Sequence, residues 1–404
     1  MTARGRAALA LGVSLYVAAW AFGSRPLYPV AIGLLVLWPL AWACVRLADR
    51  PIRLHRWTRA HDHWEGDDVE VEVELERERR VPCASMTLVE TVERVGRRET
   101  PLESGRGRLG ARYVLERLPR GRYAFPDARV VLEDPFGFQR RTLELGTTGA
   151  VLVFPRIADL DTLFSEGGPG AHQGRRILLR RPVGYDVHGV REYEQGESLR
   201  RVHWPTTARR GKLMVKELED SPRDEVAVVL DAACGSAGTP PDSSFDVQVR
   251  AAGSILRTHL RRGRRAALVV NGRILETHRV HSLEGDWRRA LELLAAADPG
   301  GARPASALLG EDVGPAARAR ELVLVTAGLT QELVTRLAHR AVGNVGVAVV
   351  WVDAASFAGH GRDQGQSGLL LRLQAAGVAV AILRRGDDLT SVLSGSSIAL
   401  EAHG

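Results

Sequence analysis

The sequence predicts a membrane-anchored chain with an all-β domain followed by an α/β domain. Three observations support this fold class: two uncharged apolar runs in the first fifty residues, short alternating runs up to about residue 155, and apolar strands that alternate with helices from about residue 224. Of the 404 residues, 45% are hydrophobic and 25% are charged, which is typical of folded domains. The predicted boundaries are 1–56 for a two-helix membrane anchor, 57–156 for a β-sandwich-like domain, 157–223 for a basic linker and 224–404 for the α/β domain.

The two apolar runs are close to the length that crosses a bilayer, which is about 20 residues. One lies between Arg6 and Arg25 and the other between Pro26 and Arg46, and neither contains a charged residue. Basic residues flank both outer ends, whereas the connecting turn carries only Arg25. Since cytoplasmic flanks are enriched in Lys and Arg, the pattern predicts a two-pass protein of the inner cell membrane with both termini in the cytoplasm. The flanking basic residues are Arg4, Arg6, Arg46, Arg50, Arg53 and Arg56.

A second interpretation treats the first run as a cleaved signal peptide, because residues 19–21 fit a small-residue cleavage site. The second run would then act as a stop-transfer segment, and the bulk of the chain would still lie in the cytoplasm. Cys44 lies in a predicted membrane helix, and Cys83 and Cys234 lie in separate predicted domains. The sequence therefore predicts neither a disulfide framework nor a cysteine metal site.

Between residues 67 and 155 the pattern has a period of two. Val69, Val71, Val73 and Leu75 alternate with four glutamates, as expected of a strand with one buried and one solvated face. Gly, Pro and Asp separate further short runs, which predicts a small antiparallel sandwich. The further predicted strands are 86–92, 112–118, 128–132, 139–145 and 150–154.

From residue 224 onward, buried strands alternate with amphipathic helices. This order predicts a doubly wound, mostly parallel sheet with helices on both faces. Ligands meet such sheets at the carboxyl ends of the strands. The predicted strands are 225–230, 266–270, 322–325, 345–352 and 378–383, and the predicted helices are 245–262, 287–297, 330–341 and 369–376.

The predicted linker is strongly basic and carries a long motif. Residues 172–216 contain eleven Arg or Lys against four Asp or Glu, a net of +7, which equals the formal charge of the whole chain. Residues 191–216 read REYEQGESLRRVHWPTTARRGKLMVK. This segment resembles the signature of the domain-of-unknown-function family number 58, in which Arg-x-Tyr-x-x-Gly-Asp is followed by Arg-x-(Ile/Val)-x-Trp, then Ala-Arg and a short strand. The matching positions are Arg191, Tyr193, Gly196, Arg200, Val202, Trp204, Ala208, Arg209 and Leu213, and Glu197 stands where the family usually has Asp.

The resemblance implies a membrane-anchored protein whose C-terminal domain is similar to von Willebrand factor A domains. Such proteins are commonly encoded beside MoxR-type AAA+ ATPases, which implies a scaffold or adaptor role for this chain in protein maturation or envelope processes. The implied partners are that ATPase and the lipid bilayer. The alternative function is a hydrolase or a metal-dependent binding protein with an unrecognised site.

The signature residues have two interpretations. In the structural one, the charged residues pair with each other and the aromatic residues fill a joint between the domains. In the functional one, the same face is a docking surface, since Arg, Tyr and Trp are favoured interface anchors. The residues concerned are Arg191, Tyr193, Gly196, Glu197, Arg200, His203, Trp204, Arg209 and Lys212.

The resemblance also implies a binding site for a divalent metal, but most of the usual metal ligands are absent from this sequence. A von Willebrand A domain holds Mg²⁺ through Asp-x-Ser-x-Ser and Thr-Asp-Gly motifs, whose hard oxygen ligands suit that ion. Here Ala233 and Gly235 replace the two serines after Asp231, and Ala327 replaces the aspartate after Thr326. Three oxygen ligands are therefore missing, and we expect no metal cofactor.

Catalytic and nucleic-acid motifs are not evident in the sequence. It has no phosphate-binding Gly-x-x-x-x-Gly-Lys-Ser/Thr, no His-Glu-x-x-His and no Gly-x-Ser-x-Gly. His188 and His203 lie near acidic residues that could act in acid–base chemistry, but such clusters arise often in polar linkers. Basic residues interleave with Tyr193 and Trp204 without a nucleic-acid-binding signature, and an anionic membrane leaflet attracts them equally well. We therefore expect a non-enzymatic protein without a nucleic-acid partner.

Overall fold

A computed structural model gives two compact units, Met1–Phe154 and Pro155–Gly404. The structure describes residues 1–49, 52–77, 84–105, 108–146, 149–166, 187–193, 202–218, 226–301, 303–310, 314–343, 345–359 and 364–395.

The first unit begins with a helical hairpin, α1 (Ala3–Ala21) and α2 (Leu27–Ala48). Gly23, at φ 66°, ends α1 in the left-handed conformation that glycine adopts without strain. The helices run antiparallel, because the ring of Tyr16 lies edge-on to that of Tyr28 at 5.6 Å and Gly12 faces Leu34. Within the described part of the chain, α2 is the one helix long and apolar enough to cross a membrane.

Antiparallel strands make up most of the remainder of the first unit. Two four-stranded sheets have the orders β1-β3-β7-β6 and β10-β9-β4-β5, and a smaller sheet has the order β2-β11-β8. The strands are β1 (Ile52–Thr58), β2 (His63–Trp64), β3 (Val69–Arg77), β4 (Ser85–Val92), β5 (Gly96–Pro101), β6 (Glu103–Gly105), β7 (Arg108–Leu115), β8 (Gly121–Ala124), β9 (Asp127–Glu133), β10 (Arg140–Leu145) and β11 (Ala150–Phe154).

The core of this unit confirms the alternation in β3. Its four apolar residues, Val69 to Leu75, are at most 2% exposed and pack with alternate residues of β4, β7, β9 and β11. The end of α2 joins the same core through Val45 and Ala48. Strand β1 begins inside the segment predicted as the anchor, since Ile52 already pairs with Arg77 of β3.

Two residues at the end of the anchor differ from expectation. Arg56, counted as a membrane-flanking charge, is instead buried in β1, where its guanidinium pairs with Glu90 and lies 3.8 Å from the ring centroid of Phe125. Cys44 is disulfide-bonded, so the prediction of a chain without disulfides is wrong at this residue. Cys234 is a free thiol.

The second unit contains a six-stranded sheet of order β16-β15-β14-β17-β18-β19, in which β16 alone is antiparallel to its neighbour. Its strands are β14 (Val226–Asp231), β15 (Ala266–Asn271), β16 (Leu275–Val280), β17 (Glu321–Thr326), β18 (Gly346–Val352) and β19 (Ala379–Leu383). A separate pair consists of β12 (Val187–Glu192) and β13 (Met214–Leu218). The helices are α3 (Trp204–Arg210), α4 (Ser244–Arg261), α5 (Trp287–Ala296), α6 (Ala305–Leu308), α7 (Pro315–Arg318), α8 (Gln331–Val342), α9 (Ala354–Phe357), α10 (Gln364–Ala375) and α11 (Leu389–Leu393).

Helices cover both faces of this sheet, as predicted. One core contains α4 and α5, the other α8 and α10, and every residue of the central strand β14 is buried between them. The start of the predicted linker belongs to the first of these cores, because Leu160, Leu163 and Phe164 are buried in it. Gly253 lets this segment cross α4, since a Cβ there would lie 2.4 Å from the side chain of Ile157.

Candidate functional site

Four buried polar residues lie at the carboxyl ends of neighbouring parallel strands. Asp231 ends β14, Asn271 ends β15, Thr326 ends β17, and Asp353 directly follows β18. Each is at most 2% exposed. This edge is formed by the ends of predicted strands, and ligands meet doubly wound sheets at such an edge.

Hydrogen bonds hold the Asp231 carboxylate from three directions. Its Oδ1 accepts from Asn271 Nδ2 at 3.0 Å and from the Ala233 backbone N–H at 3.1 Å. Its Oδ2 accepts from Thr326 Oγ1 at 2.8 Å. Burying a carboxylate without hydrogen-bond donors is costly, and here neighbouring strands provide the donors.

The thiol of Cys234 lies beside this network. A Cβ at Gly328 would be 2.4 Å from Cys234 Sγ, so glycine is required for the close approach of these two loops. Burial, together with the nearby Asp231 carboxylate, raises the pKa of the Cys234 thiol above its usual value. The thiolate is the nucleophilic form, so this cysteine is poorly suited to covalent catalysis at neutral pH.

The residues at this edge do not fit a divalent cation. Asp231 and Thr326 do come together, but Thr326 donates to the carboxylate, and Ala233, Gly235 and Ala327 offer no side-chain oxygen. No group of three or more His, Cys, Asp or Glu among the described residues is placed to hold a metal. Mg²⁺ requires near-octahedral oxygen coordination, which this set does not provide.

The signature segment forms a small β-α-β element, which precedes β14 in the chain. Strand β12 pairs with β13, and α3 lies between them in sequence. Backbone bonds tie the element together, from Tyr193 N to Leu213 O at 2.9 Å and from His203 N to Met214 O at 2.8 Å. Val202 and Met214 are at most 4% exposed beneath the helix. The predicted short strand after the motif is therefore present as β13.

The motif residues divide into a buried and an exposed set. Tyr193 is half-buried, and His203 Nδ1 lies 2.7 Å from Thr206 Oγ1. Trp204 is 64% exposed and Leu213 is 42% exposed. Arg191 lies in β12 opposite Val215. Gly196, Glu197 and Arg200 lie outside the described residues.

The exposed residues of this element are apolar and basic, and we name them together the Trp204 surface. All of them lie on α3 or on the turn that follows it, where Gly211 at φ 66° ends the helix. The Trp204 surface consists of Trp204, Arg209, Arg210, Lys212 and Leu213.

Sequence reasoning identified Asp231 and Thr326 but missed two of their partners. Asn271 directly follows the predicted strand 266–270, and an amide at the carboxyl end of a buried strand is a signal of a site. Gly328 gave no sequence signal, because its role depends on the Cys234 side chain across the loop.

Comparisons with known proteins match part of the chain. Residues 189–356 match the family described as "Protein of unknown function DUF58". The match runs from β12 into α9, so it contains the signature element and the Asp231 network. The chain is also similar to "Uncharacterized protein YeaD" of Bacillus subtilis (strain 168), at 26% identity over 280 residues. That alignment covers 68% of this chain and 66% of the relative.

Solved structures add no argument about this chain. A DNA glycosylase of Pseudomonas fluorescens, AlkC bound to abasic-site DNA, matches 30% of this chain and 39% of its own at 12% identity, with a TM-score of 0.16. Cwp6 from Clostridium difficile matches 87% of this chain and 40% of its own at 10% identity, with a TM-score of 0.21. Scores this low carry no inference of shared fold or activity.

Proposed function

We propose that this chain is a membrane-anchored adaptor that recruits a cytoplasmic AAA+ ATPase of the MoxR type. The observation that carries the proposal is the Trp204 surface, in which an indole that is 64% exposed belongs to the same short element as three exposed basic residues. Trp and Arg are the residue types that dominate binding energy at protein interfaces. The ATPase as partner comes from the resemblance of residues 191–216 to the DUF58 signature.

The partner's chemistry follows from this face. A basic rim favours an acidic partner surface, which it would attract before docking. The indole requires an apolar pocket that removes it from water. We infer that the ATPase presents an apolar pocket bordered by Asp or Glu to the Trp204 surface.

The Asp231 network supports a binding role in preference to an enzymatic one. Its carboxylate is held by three donors, and the raised pKa of Cys234 keeps that thiol protonated. The sheet order, with β14 central and one antiparallel edge strand, supports a von Willebrand A-like fold for this unit. The shared core of the two four-stranded sheets likewise supports a sandwich in the first unit.

The hairpin supports a two-pass anchor. Thr2, before α1, donates to the Gly137 carbonyl at 2.6 Å, and Ala48, at the end of α2, packs in the same β core. Both outer ends of the hairpin therefore meet one folded unit, and the basic flanks favour the cytoplasm for that side.

The disulfide at Cys44 is more typical of an oxidising compartment. A C-terminal green fluorescent protein fusion tests on which side of the membrane the folded unit lies. We expect fluorescence in intact cells. A fusion without fluorescence would place the unit outside the cytoplasm.

Co-purification from membranes tests the adaptor proposal. The full chain, solubilised in detergent, is compared with Trp204→Ala and with Ile274→Ala, a control whose side chain is 76% exposed on the β15–β16 turn. We expect Trp204→Ala to reduce the recovered AAA+ ATPase by about tenfold or more, whereas Ile274→Ala leaves it unchanged. Melting temperatures should be unchanged in both variants.

Two results would contradict the adaptor. One is equal ATPase recovery by wild type and Trp204→Ala. The other is a purified chain that turns over a substrate by itself, without any ATPase bound.

A further inference from the structure

A basic cavity lies where the apolar helix α2 ends. It has a volume of about 190 Å³ and lies between the last turns of α2 and the start of β10. Both walls belong to the first unit. The lining residues are Trp42, Val45, Arg46, Gln139, Arg140 and Arg141.

The guanidinium groups leave the cavity with excess positive charge. Arg141 Nη1 lies 2.7 Å from Asp49 Oδ2, and Arg140 Nη2 lies 3.0 Å from Glu133 Oε2. Arg46 makes no ion pair with any described residue, and its guanidinium lies 6.0 Å from the ring centroid of Trp42. Each guanidinium carries five N–H donors, so even the paired ones retain donors for an anion.

A buried amide also opens onto the cavity without a partner. Gln139 is 7% exposed, and its side chain makes no hydrogen bond with the described residues. Its backbone N–H donates to Asp134 Oδ2 at 2.5 Å, which fixes the residue at the cavity wall. Its amide N–H groups are therefore donors for a ligand that enters the cavity.

We propose that this cavity binds the phosphate of an anionic phospholipid, an inference that rests on the membrane anchoring in the proposed function. Trp42 and Arg46 occupy the last turns of the membrane-competent helix, where headgroups lie. Guanidinium groups match phosphate oxygens in bidentate geometry, and basic pockets at the ends of membrane helices suit anionic headgroups. Trp42, which lines the cavity and is 52% exposed, offers an apolar surface for the acyl chains, which free phosphate lacks.

Lipid retention in nanodiscs tests the proposal. The full chain is placed in nanodiscs of phosphatidylcholine mixed with phosphatidylglycerol, and retained lipids are counted by native mass spectrometry. We expect phosphatidylglycerol to be retained in preference, and Arg46→Gln to lower that preference by about fivefold. Gln139→Leu, which keeps every charge, should lower it as well. The matched control is Arg25→Gln, because Arg25 is a single charge in the α1–α2 turn at the other end of the hairpin.

Different results would overturn the lipid pocket, the membrane anchor or the adaptor. Equal retention of the two lipids, or a preference that Arg46→Gln leaves unchanged, overturns the pocket. Displacement of the retained lipid by millimolar inorganic phosphate assigns the cavity to free phosphate and also overturns a lipid site. Extraction of the chain from membranes by alkaline carbonate overturns the anchor and the pocket together. If the chain retains its lipid preference but no ATPase co-purifies with it, the adaptor proposal is contradicted and the lipid pocket is supported.

Discussion

Asp231 ends the central strand of the α/β sheet, and its carboxylate depends on side chains from two neighbouring strands. Asn271 and Thr326 each contribute one hydrogen bond, so three strands are joined at their carboxyl ends. Removing one partner of a buried charged hydrogen bond leaves the others unsatisfied. At the residue scale, Asp231 therefore has a structural role, since it joins three strands at their carboxyl ends.

Replacing Asp231 tests this role. We expect Asp231→Ala to lower the free energy of unfolding by about 2 kcal/mol, because the buried donors lose a charged acceptor. Asp242→Ala is the control, since its side chain is 74% exposed and its pair with Arg250 should contribute under about 0.5 kcal/mol. Urea denaturation in detergent measures both. Millimolar Mg²⁺ should leave the wild-type melting temperature unchanged, and a rise of several degrees would reveal a metal site.

His259 predicts a pH dependence of stability. Burial lowers its folded-state pKa to about 4, whereas unfolded histidine titrates near pH 6.5. Between these values the unfolded chain binds the extra proton, so stability is lost as the pH falls from about 6.5 to about 4, by at most about 3 kcal/mol. His259→Gln should flatten this part of the profile. The exposed His339→Gln serves as the control, and an identical slope in wild type and His259→Gln would refute the assignment.

The site could be predicted from the sequence only in part. The Asp231 and Thr326 positions follow from the resemblance and from their place at strand ends. The exposure of Trp204 could not be read from its residue type, because tryptophan is highly buried on average. The partners of Arg56 and Cys234 depend on long-range packing that periodicity does not encode.

At the scale of elements, periodicity predicted the strands and helices that bury one regular face. Strand β3 and the six elements β14, α4, β15, β17, α8 and β18 follow their predicted spans closely. Strand β16 was missed, because an edge strand with an irregular exposure pattern shows no clear alternation. Strand β12 (Val187–Glu192) was not predicted, because its segment reads as a polar linker.

The junction of α1 with the β unit makes a sharp prediction at this scale. A Cβ on Gly5 would lie 2.4 Å from the Phe138 carbonyl oxygen, so Gly5→Ala must displace the first turn of α1. We expect a loss of about 1–3 kcal/mol in unfolding free energy. Gly33→Ala in α2 is the matched control, since nothing lies within 4 Å of its Cβ position. That variant should be neutral or slightly stabilising, and equal losses in both would contradict the close approach.

At the scale of the whole molecule, the proposed function combines a membrane anchor with the Trp204 surface. The anchor supplies a bilayer-bound position, and the Trp204 surface supplies the contact with a partner. Binding that is confined to a membrane raises the effective concentration of the partners, so a modest interface can suffice. The proposed function therefore requires both parts in one chain.

Photo-crosslinking in intact cells tests this central claim most directly. A photoreactive amino acid replaces Trp204 in the full chain, and a second chain carries it at Ile274. After illumination we expect a crosslinked AAA+ ATPase from position 204 and none from position 274. Absence of any ATPase crosslink at position 204, or an equal yield from both positions, would contradict the account.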